Sequence, residues 1–351
     1  ALGVGNQMLV VNGVLLEHSD ALSSSLYEKQ QAALAAMPER LQGFPLHIVP
    51  LRAYNVTGIE NVRALLHTDR VTTHAQTLNA VQIPVLNDVI DQLAEEGKRV
   101  IFTMGKGGVG KTTVAAAVAL GLAKRGKKVH LATTDPAAHL KFVLTETNGI
   151  SMSHIDEAKE LENYQLEVLE KARASGMSND DIAYVKEDLR SPCTQEIAVF
   201  RAFAQIVEKA DDRVVVIDTA PTGHTLLLLE STQSYHHEIE RTKGEIPEAV
   251  KQLLPRLKSD ETEVIIMTLP EATPVYEALR LEEDLKRAGI AAKWWVVNQT
   301  LYGTNTTNPM LTAKAAGEVE WLNRVDEHTK GKFALIAWSA EELKGDCLLM
   351  L

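Results

Sequence analysis

The chain has 351 residues, 45% of them hydrophobic and 24% charged, an ordinary soluble composition with room for one large domain or two ordinary ones. Its formal net charge of −11, carried without a long basic run, excludes nucleic acid as a partner, since that affinity rests on neutralising phosphates, and suits a cytoplasmic protein. Two cysteines, Cys193 and Cys347, are too few for a disulfide framework, a four-cysteine zinc site or an intrachain iron–sulfur cluster, and there is neither a membrane-spanning apolar run nor a signal-peptide pattern.

The chain begins at Ala1, as expected of a processed or truncated product. Met8–Asn12 reads as a short strand, about Ser23–Leu41 as a helix and His47–Leu51 as a second strand. The far end repeats this plan: strand Trp294–Asn298, helix about Thr312–Val325, strand Phe333–Ala337. Asn12 aligns with Asn298 and Gly58 with Gly345, at offsets of 286 and 287. Residues 1–66 are therefore expected to be the C-terminal tail of a preceding homologous domain, with Thr57–Leu66 its last helix. A linker and lead-in helix follow over 67–97, and a complete second copy over 98–346. The linker reading rests on the polar, Thr-rich stretch His67–Gln82 and on helical apolar spacing in Val85–Glu96.

Strand Val100–Met104 then feeds Gly105-Lys106-Gly107-Gly108-Val109-Gly110-Lys111-Thr112, a phosphate-binding loop flanked by a strand and a helix as that pattern requires. Glycines let backbone N–H groups converge on an anion, Lys111 reaches the outer phosphates, and the Thr112 hydroxyl can join a Mg²⁺ shell. The loop residues, with Thr113, form the expected nucleotide site at the positive end of helix Thr113–Arg125. Lys106 is an additional lysine that the basic pattern does not require.

Apolar strands Val129–Thr133, Val214–Asp218 and Val264–Thr268, with Val297-Asn298, alternate with helical segments. This predicts an α/β fold, a doubly wound and mainly parallel sheet whose ligands gather at the strands' carboxyl ends. The charged stretches at about 151–212 and 231–262 carry no clean strand pattern and are expected to form an inserted helical subdomain on the ligand side.

Asp218 closes its strand where a carboxylate holds a Mg²⁺-bound water, and Gly223 in the following Thr219–Thr225 segment permits switch-like rearrangement. Asp135, rigidly followed by Pro136, either orients the attacking water or supports Mg²⁺ from behind. Asn298 offers the acceptor and donors that read a purine edge, or else closes its strand with an Asx-turn.

The Gly-Lys-Gly-Gly-Val-Gly-Lys-Thr loop resembles the deviant Walker A loop of the nitrogenase iron protein, the septum-site and chromosome-partitioning ATPases, the tail-anchored-protein targeting ATPase and the arsenical pump-driving ATPase. Thr134–His139, Asp218–Thr225 and Val297-Asn298 narrow the likeness to the last two. Glu187–Ala198, with Cys193, resembles the metalloid-binding segment in the C-terminal half of the arsenical pump-driving ATPase, a protein of two homologous halves. That resemblance implies ATP hydrolysis driving arsenite and antimonite extrusion. Within it Lys106 reaches a partner's nucleotide, Asp135 positions the hydrolytic water and Asp218 supports Mg²⁺. Cys193, His224 and Ser191 then ligate As(III) or Sb(III), which stimulates hydrolysis.

The implied partners are a homologous N-terminal half or a second copy, an integral-membrane efflux pump and an arsenic metallochaperone. The implied location is the cytoplasm, at the membrane's inner face through the pump. A targeting ATPase would carry a Cys-x-x-Cys clasp and a Met-rich groove, whereas the inserts hold only Met152 and Met177. The other alternative is an inactive nucleotide-binding fragment that lacks its partner half.

Overall fold

The computed structural model describes residues 7–65, 83–133, 149–219, 248–339, 341 and 343–351, apart from the side chains of Pro192, Cys193 and Glu196. The chain divides into two compact units. One comprises Ala1–Ile83, Leu269–Val275 and Val297–Glu342; the other comprises Pro84–Thr268, Tyr276–Val296 and Leu343–Leu351.

The larger unit opens with helix α4 (Leu86–Glu95), after the chain has passed β1 (Leu9–Val14), α1 (Ala21–Ala35), α2 (Glu39–Gln42), β2 (Leu46–Pro50) and α3 (Gly58–Ala64). Then come β3 (Val100–Gly105), α5 (Lys111–Lys124), β4 (Val129–Thr133), β5 (Ile150–His154), α6 (Glu157–Ala174), α7 (Asn179–Asp188), α8 (Pro192–Glu208), β6 (Val214–Asp218), α9 (Glu248–Leu257) and β7 (Thr262–Thr268). The remaining elements are α10 (Ala272–Arg287), β8 (Trp294–Thr300), α11 (Pro309–Thr329), β9 (Phe333–Ala337) and a 3₁₀ turn at Gly345–Met350.

Seven strands form one sheet in the order β5-β4-β6-β3-β7-β8-β9. The pairs β3/β6, β3/β7, β4/β5 and β4/β6 are parallel. This is the mainly parallel α/β sheet expected of a phosphate-loop nucleotide fold. Continuous β-branched and aliphatic runs suit strands covered on both faces, and β3, β4, β6 and β7 are buried along their whole length. Phe102 of β3 stacks on Phe203 of α8, with ring centroids 5.8 Å apart. Helix α5 meets α4 closely at Gly121, where a Cβ would come within 2.8 Å of Ile90 Cδ1. At the amino end of the sheet Lys98 and Glu263 form a buried pair at 3.4 Å, and burial pushes the Glu263 carboxyl above its ordinary range.

The smaller unit holds a second, two-stranded sheet in which β1 and β2 run parallel, Leu9 opposite Leu46 and Val11 opposite Ile48. Leu15, Leu301 and Leu311 form its core, with Leu22, Leu26, Tyr27, Leu51 and Trp338 packed around them. Asp20 organises the polar contacts. Its Oδ1 accepts the Ser23 N–H at 2.7 Å, capping α1. Its Oδ2 accepts from Thr306 Oγ1 at 2.7 Å, Thr307 N at 2.6 Å and Asn308 N at 3.1 Å. Asn308 in turn caps α11 and donates through Nδ2 to the Glu17 carbonyl at 3.0 Å. Burial acts to raise the Asp20 pKa, but the bonds from Ser23, Thr306 and Thr307 outweigh it and hold the carboxyl well below the usual range.

Two expectations change. The helix expected over about Ser23–Leu41 starts at its Asp20 cap and is broken ahead of Pro38 into α1 and α2, as the missing proline N–H and its restricted predecessor require. The stretch from 151, expected to be largely helical with no clean strand, begins as β5, the edge strand beside β4. Its Ile150-Ser151-Met152-Ser153 alternation has period two, and both serines bond His130 of β4 across the strand pair. The helices that follow, α6 to α8, match the helical expectation.

A candidate nucleotide site at the carboxyl end of the sheet

β3 ends at Gly105 because no other residue fits there: a Cβ would run into the Met267 carbonyl oxygen of β7 and come within 3.1 Å of Val109 Cγ2. Val109 is buried beneath the loop and fixes its underside. Gly110 takes the left-handed conformation, φ +88° and ψ +25°, and so turns the backbone directly into α5, which starts at Lys111 rather than at Thr113 as its apolar periodicity suggests. The loop thereby presents the unsatisfied N–H groups and positive dipole end of a 14-residue helix.

Lys111 is 7% exposed, and its ammonium donates to the Lys106 carbonyl at 3.1 Å. A buried cation among converging backbone donors is a phosphate-binding arrangement. Lys106, Gly107 and Gly108 are exposed at the loop's crown, while Thr112 and Thr113 are half-buried in the first turn of α5.

Asp218 is fully buried at the end of β6. Its Oδ2 accepts from Thr112 Oγ1 at 2.7 Å and from Thr133 Oγ1 at 3.2 Å. Strand register accounts for this meeting: Thr103 of β3, two residues before that strand's end, lies opposite Asp218, and Asp218 lies opposite Thr133, the last residue of β4. Thr219, the next residue, donates its hydroxyl to the Thr103 carbonyl at 2.9 Å and fixes the departure of the chain. A hydroxyl and a carboxylate touching beside a phosphate cradle are hard oxygen donors, the set that Mg²⁺ prefers, so these residues fit a nucleotide with its divalent cation.

The expected residues divide three ways. The structure brings Gly105 to Thr113 and Asp218 together. Asn298, 7% exposed and two residues before the end of β8, has its Oδ1 accepting the Gln299 N–H at 2.9 Å, while Gln299 adopts φ +57° within the strand. Asp135 and His224 lie outside the described residues, as does the Cys193 side chain; Cys193 belongs to the first turn of α8. Ser191, the N-cap of that helix, has its hydroxyl 3.0 Å from Thr194 Oγ1. Among the described residues no group of three His, Cys, Asp or Glu side chains could hold a metal ion, and no helix is long and apolar enough to cross a membrane. Sequence reasoning passed over Thr103, Thr133 and Thr219. Their signal was available as threonines at or near the carboxyl ends of otherwise apolar strands.

Two strongly perturbed groups belong to packing. His130 has Nδ1 and Nε2 each 2.8 Å from a hydroxyl, of Ser151 and Ser153 respectively, and Lys209 Nζ lies 3.2 Å from Nε2. An ammonium can only donate, so Nε2 accepts and Nδ1 carries the proton. Burial, then Lys209 and Arg213, lower its pKa to about 4. Glu318 of α11 accepts through Oε2 from Thr300 Oγ1 at 2.7 Å, Leu301 N at 2.9 Å and Tyr302 N at 3.0 Å, and burial raises its pKa to about 7.

The family model described as the anion-transporting ATPase matches residues 98–259 and 231–349, the part of the chain that contains this loop. The chain belongs to the anion-transporting ATPase family. It is 41% identical over 352 residues to an arsenical pump-driving ATPase of Escherichia coli, and 39% identical over 351 residues to one of Acidiphilium multivorum. Each alignment covers 98% of this chain and 60% of the relative, so the chain spans about three-fifths of the length of these curated proteins. ATPase GET3 of Paracoccidioides lutzii is more distant, at 28% identity over 70% of this chain and 84% of that protein.

Proposed function

We propose that this chain binds ATP with Mg²⁺ at Gly105–Thr112 and, as part of a longer polypeptide or a pair of copies, hydrolyses it to drive arsenite and antimonite extrusion through an integral-membrane pump. The observation that carries the reading is the loop geometry, with Lys111 buried and Thr112 on Asp218, in a chain aligned along 98% of its length with arsenical pump-driving ATPases. The GET3 relative favours a targeting role less, with lower identity over a shorter part of the chain.

In this reading the loop N–H groups and Lys111 would hold the phosphate oxygens, and Thr112 and Asp218 would hold the cation, which would supply charge neutralisation during phosphoryl transfer. Asp135 orients a water molecule whose oxygen bonds to the γ-phosphorus as the bond to the bridging oxygen breaks, leaving ADP and phosphate. Asn298, whose Oδ1 accepts the Gln299 N–H, would read the purine edge through its amide nitrogen. Exposed Lys106 reaches a nucleotide held by a homologous half or a second copy.

Residues 1–66 would be the tail of that half, 67–97 its linker, and 98–346 the ATPase domain. The recurrence of strand, helix, strand and helix in β1-α1-β2-α3 and in β8-α11-β9 with its 3₁₀ turn supports this division. Cys193, His224 and Ser191 would ligate As(III) or Sb(III), with an arsenic metallochaperone as supplier. The protein would work in the cytoplasm, at the membrane's inner face through its pump.

Phosphate release by the purified chain, measured across protein concentrations with and without antimonite, tests the proposal. We expect turnover that rises with concentration as copies pair, and stimulation by antimonite that Cys193→Ser removes. Antimonite-independent turnover, equal in Cys193→Ser, would remove the metalloid assignment. Capture of hydrophobic tail peptides instead would favour the targeting role.

A further inference from the structure

Thr103 stands two residues before Gly105, 0% exposed, and its hydroxyl has no hydrogen-bond partner among the described residues. A buried hydroxyl in that condition costs stability, and valine would fill the same volume without the cost. The surroundings give the hydroxyl a use. Thr103 and Thr133 flank Asp218 in one row across β3, β6 and β4. Thr133 already donates to the Asp218 carboxylate at 3.2 Å, and Thr112 donates to the same oxygen at 2.7 Å. The Thr103 backbone cannot drift away, because its carbonyl accepts the Thr219 hydroxyl at 2.9 Å.

We propose that Thr103 is a positioning residue for the loaded site, its hydroxyl held in reserve as a second flanking donor to Asp218. A carboxylate only accepts, so it needs donors on whichever side it turns. Once Thr112 and Asp218 both serve a cation, the short bond between them is weakened, and Thr103 steadies the carboxylate from the strand beside it. The resting chain carries the cost of the idle hydroxyl, and the loaded chain recovers it. This inference rests on the reading of Gly105–Thr112 as a Mg²⁺–nucleotide site.

The test uses Thr103→Val and Thr103→Ser with two readouts: the melting temperature without nucleotide, and the Mg²⁺ concentration giving half-maximal binding of a fluorescent ATP analogue. Removing an unsatisfied buried hydroxyl should raise the melting temperature of Thr103→Val by about 2–4 °C. Loss of one hydrogen bond in the loaded state should shift its Mg²⁺ midpoint upward about five- to tenfold. Thr103→Ser, which keeps the hydroxyl, should hold the wild-type Mg²⁺ midpoint. An unchanged midpoint in Thr103→Val overturns the inference, and so does a lower melting temperature or failure to fold, since the hydroxyl is then no burden at rest. Lys111→Ala separates the two levels. If it loses analogue binding while Thr103→Val keeps the wild-type midpoint, the loop reading stands and the Thr103 role falls; if it binds normally, both fall.

Discussion

Replacing Asp20 separates two contributions that the structure assigns to different oxygens of one carboxylate. Asp20→Asn keeps an acceptor for the Ser23 N–H, and asparagine is as good an N-cap as aspartate. The amide nitrogen then stands where Oδ2 receives Thr306, Thr307 and Asn308, facing three donors with a fourth. Thr307 is exposed and recovers its bond from water; Asn308 is buried, and its N–H, left with only the 3.3 Å contact to Thr306 Oγ1, bears most of the penalty. One weakened buried bond, one lost exposed bond and the lost Thr306 hydroxyl bond give about 2 kcal/mol for Asp20→Asn. Asp20→Ala also loses the cap of α1, which adds about 1 kcal/mol.

Amide hydrogen exchange localises the effect better than bulk unfolding. A 2 kcal/mol loss should lower protection at Thr307 and Asn308 about 30-fold in Asp20→Asn, with the first turn of α1 unaffected until Asp20→Ala. Equal protection in wild type and Asp20→Asn would refute the assignment of Oδ2 to that loop. The pH dependence has a definite sign: a carboxyl held below its ordinary pKa contributes stability above about pH 4 and loses it on further acidification.

His130 and Glu318 should respond oppositely to acid between about pH 7 and pH 4. His130, lowered from 6.5 to about 4, stays neutral in the fold while the unfolded chain takes a proton, so its unit loses about 3 kcal/mol as pH falls through that window. Glu318, raised from 4.5 to about 7, is protonated first in the fold, so its contribution of about 3 kcal/mol is complete below pH 4.5 and lost as pH rises through 7. Urea unfolding against pH should steepen toward acid loss in Glu318→Gln and reverse slope in His130→Gln; parallel curves would contradict both assignments. Lys111→Ala should abolish tight nucleotide binding measured by calorimetry, and unchanged affinity would remove the loop assignment. Asp135→Asn should leave affinity near wild type and slow phosphate release by about 10²-fold or more, whereas an equal loss of binding would move Asp135 to the Mg²⁺ shell.

The parts of this site legible in sequence were those encoded within a few consecutive residues. The Gly105–Thr112 loop, the Asp218 strand end and the buried parallel strands announce themselves through local composition and spacing. The Thr133–Asp218–Thr103 row was not legible, because it depends on β6 entering the sheet between β3 and β4, against chain order. β5 escaped notice for a related reason: its serines read as loop residues until His130 on the neighbouring strand supplies their partner. The Asp20 contacts join residues 286 to 288 positions apart, beyond any local pattern. Lys111 lies within the Gly105–Thr112 loop, but its burial follows from the left-handed turn at Gly110 that starts α5 two residues earlier than apolar periodicity suggests.

The β1–β2 pair has a practical consequence. A parallel pair normally lies inside a wider sheet, with both faces covered. Here Val10, Leu46 and Ile48 are each about half exposed, at 53%, 46% and 47%. Backbone groups at a strand edge and aliphatic side chains beside them are what a second molecule needs in order to stick. Among the described residues these side chains and strand edges form an adhesive patch, and a charged residue at position 10 or 48 should lower self-association in concentrated solution without touching the nucleotide loop.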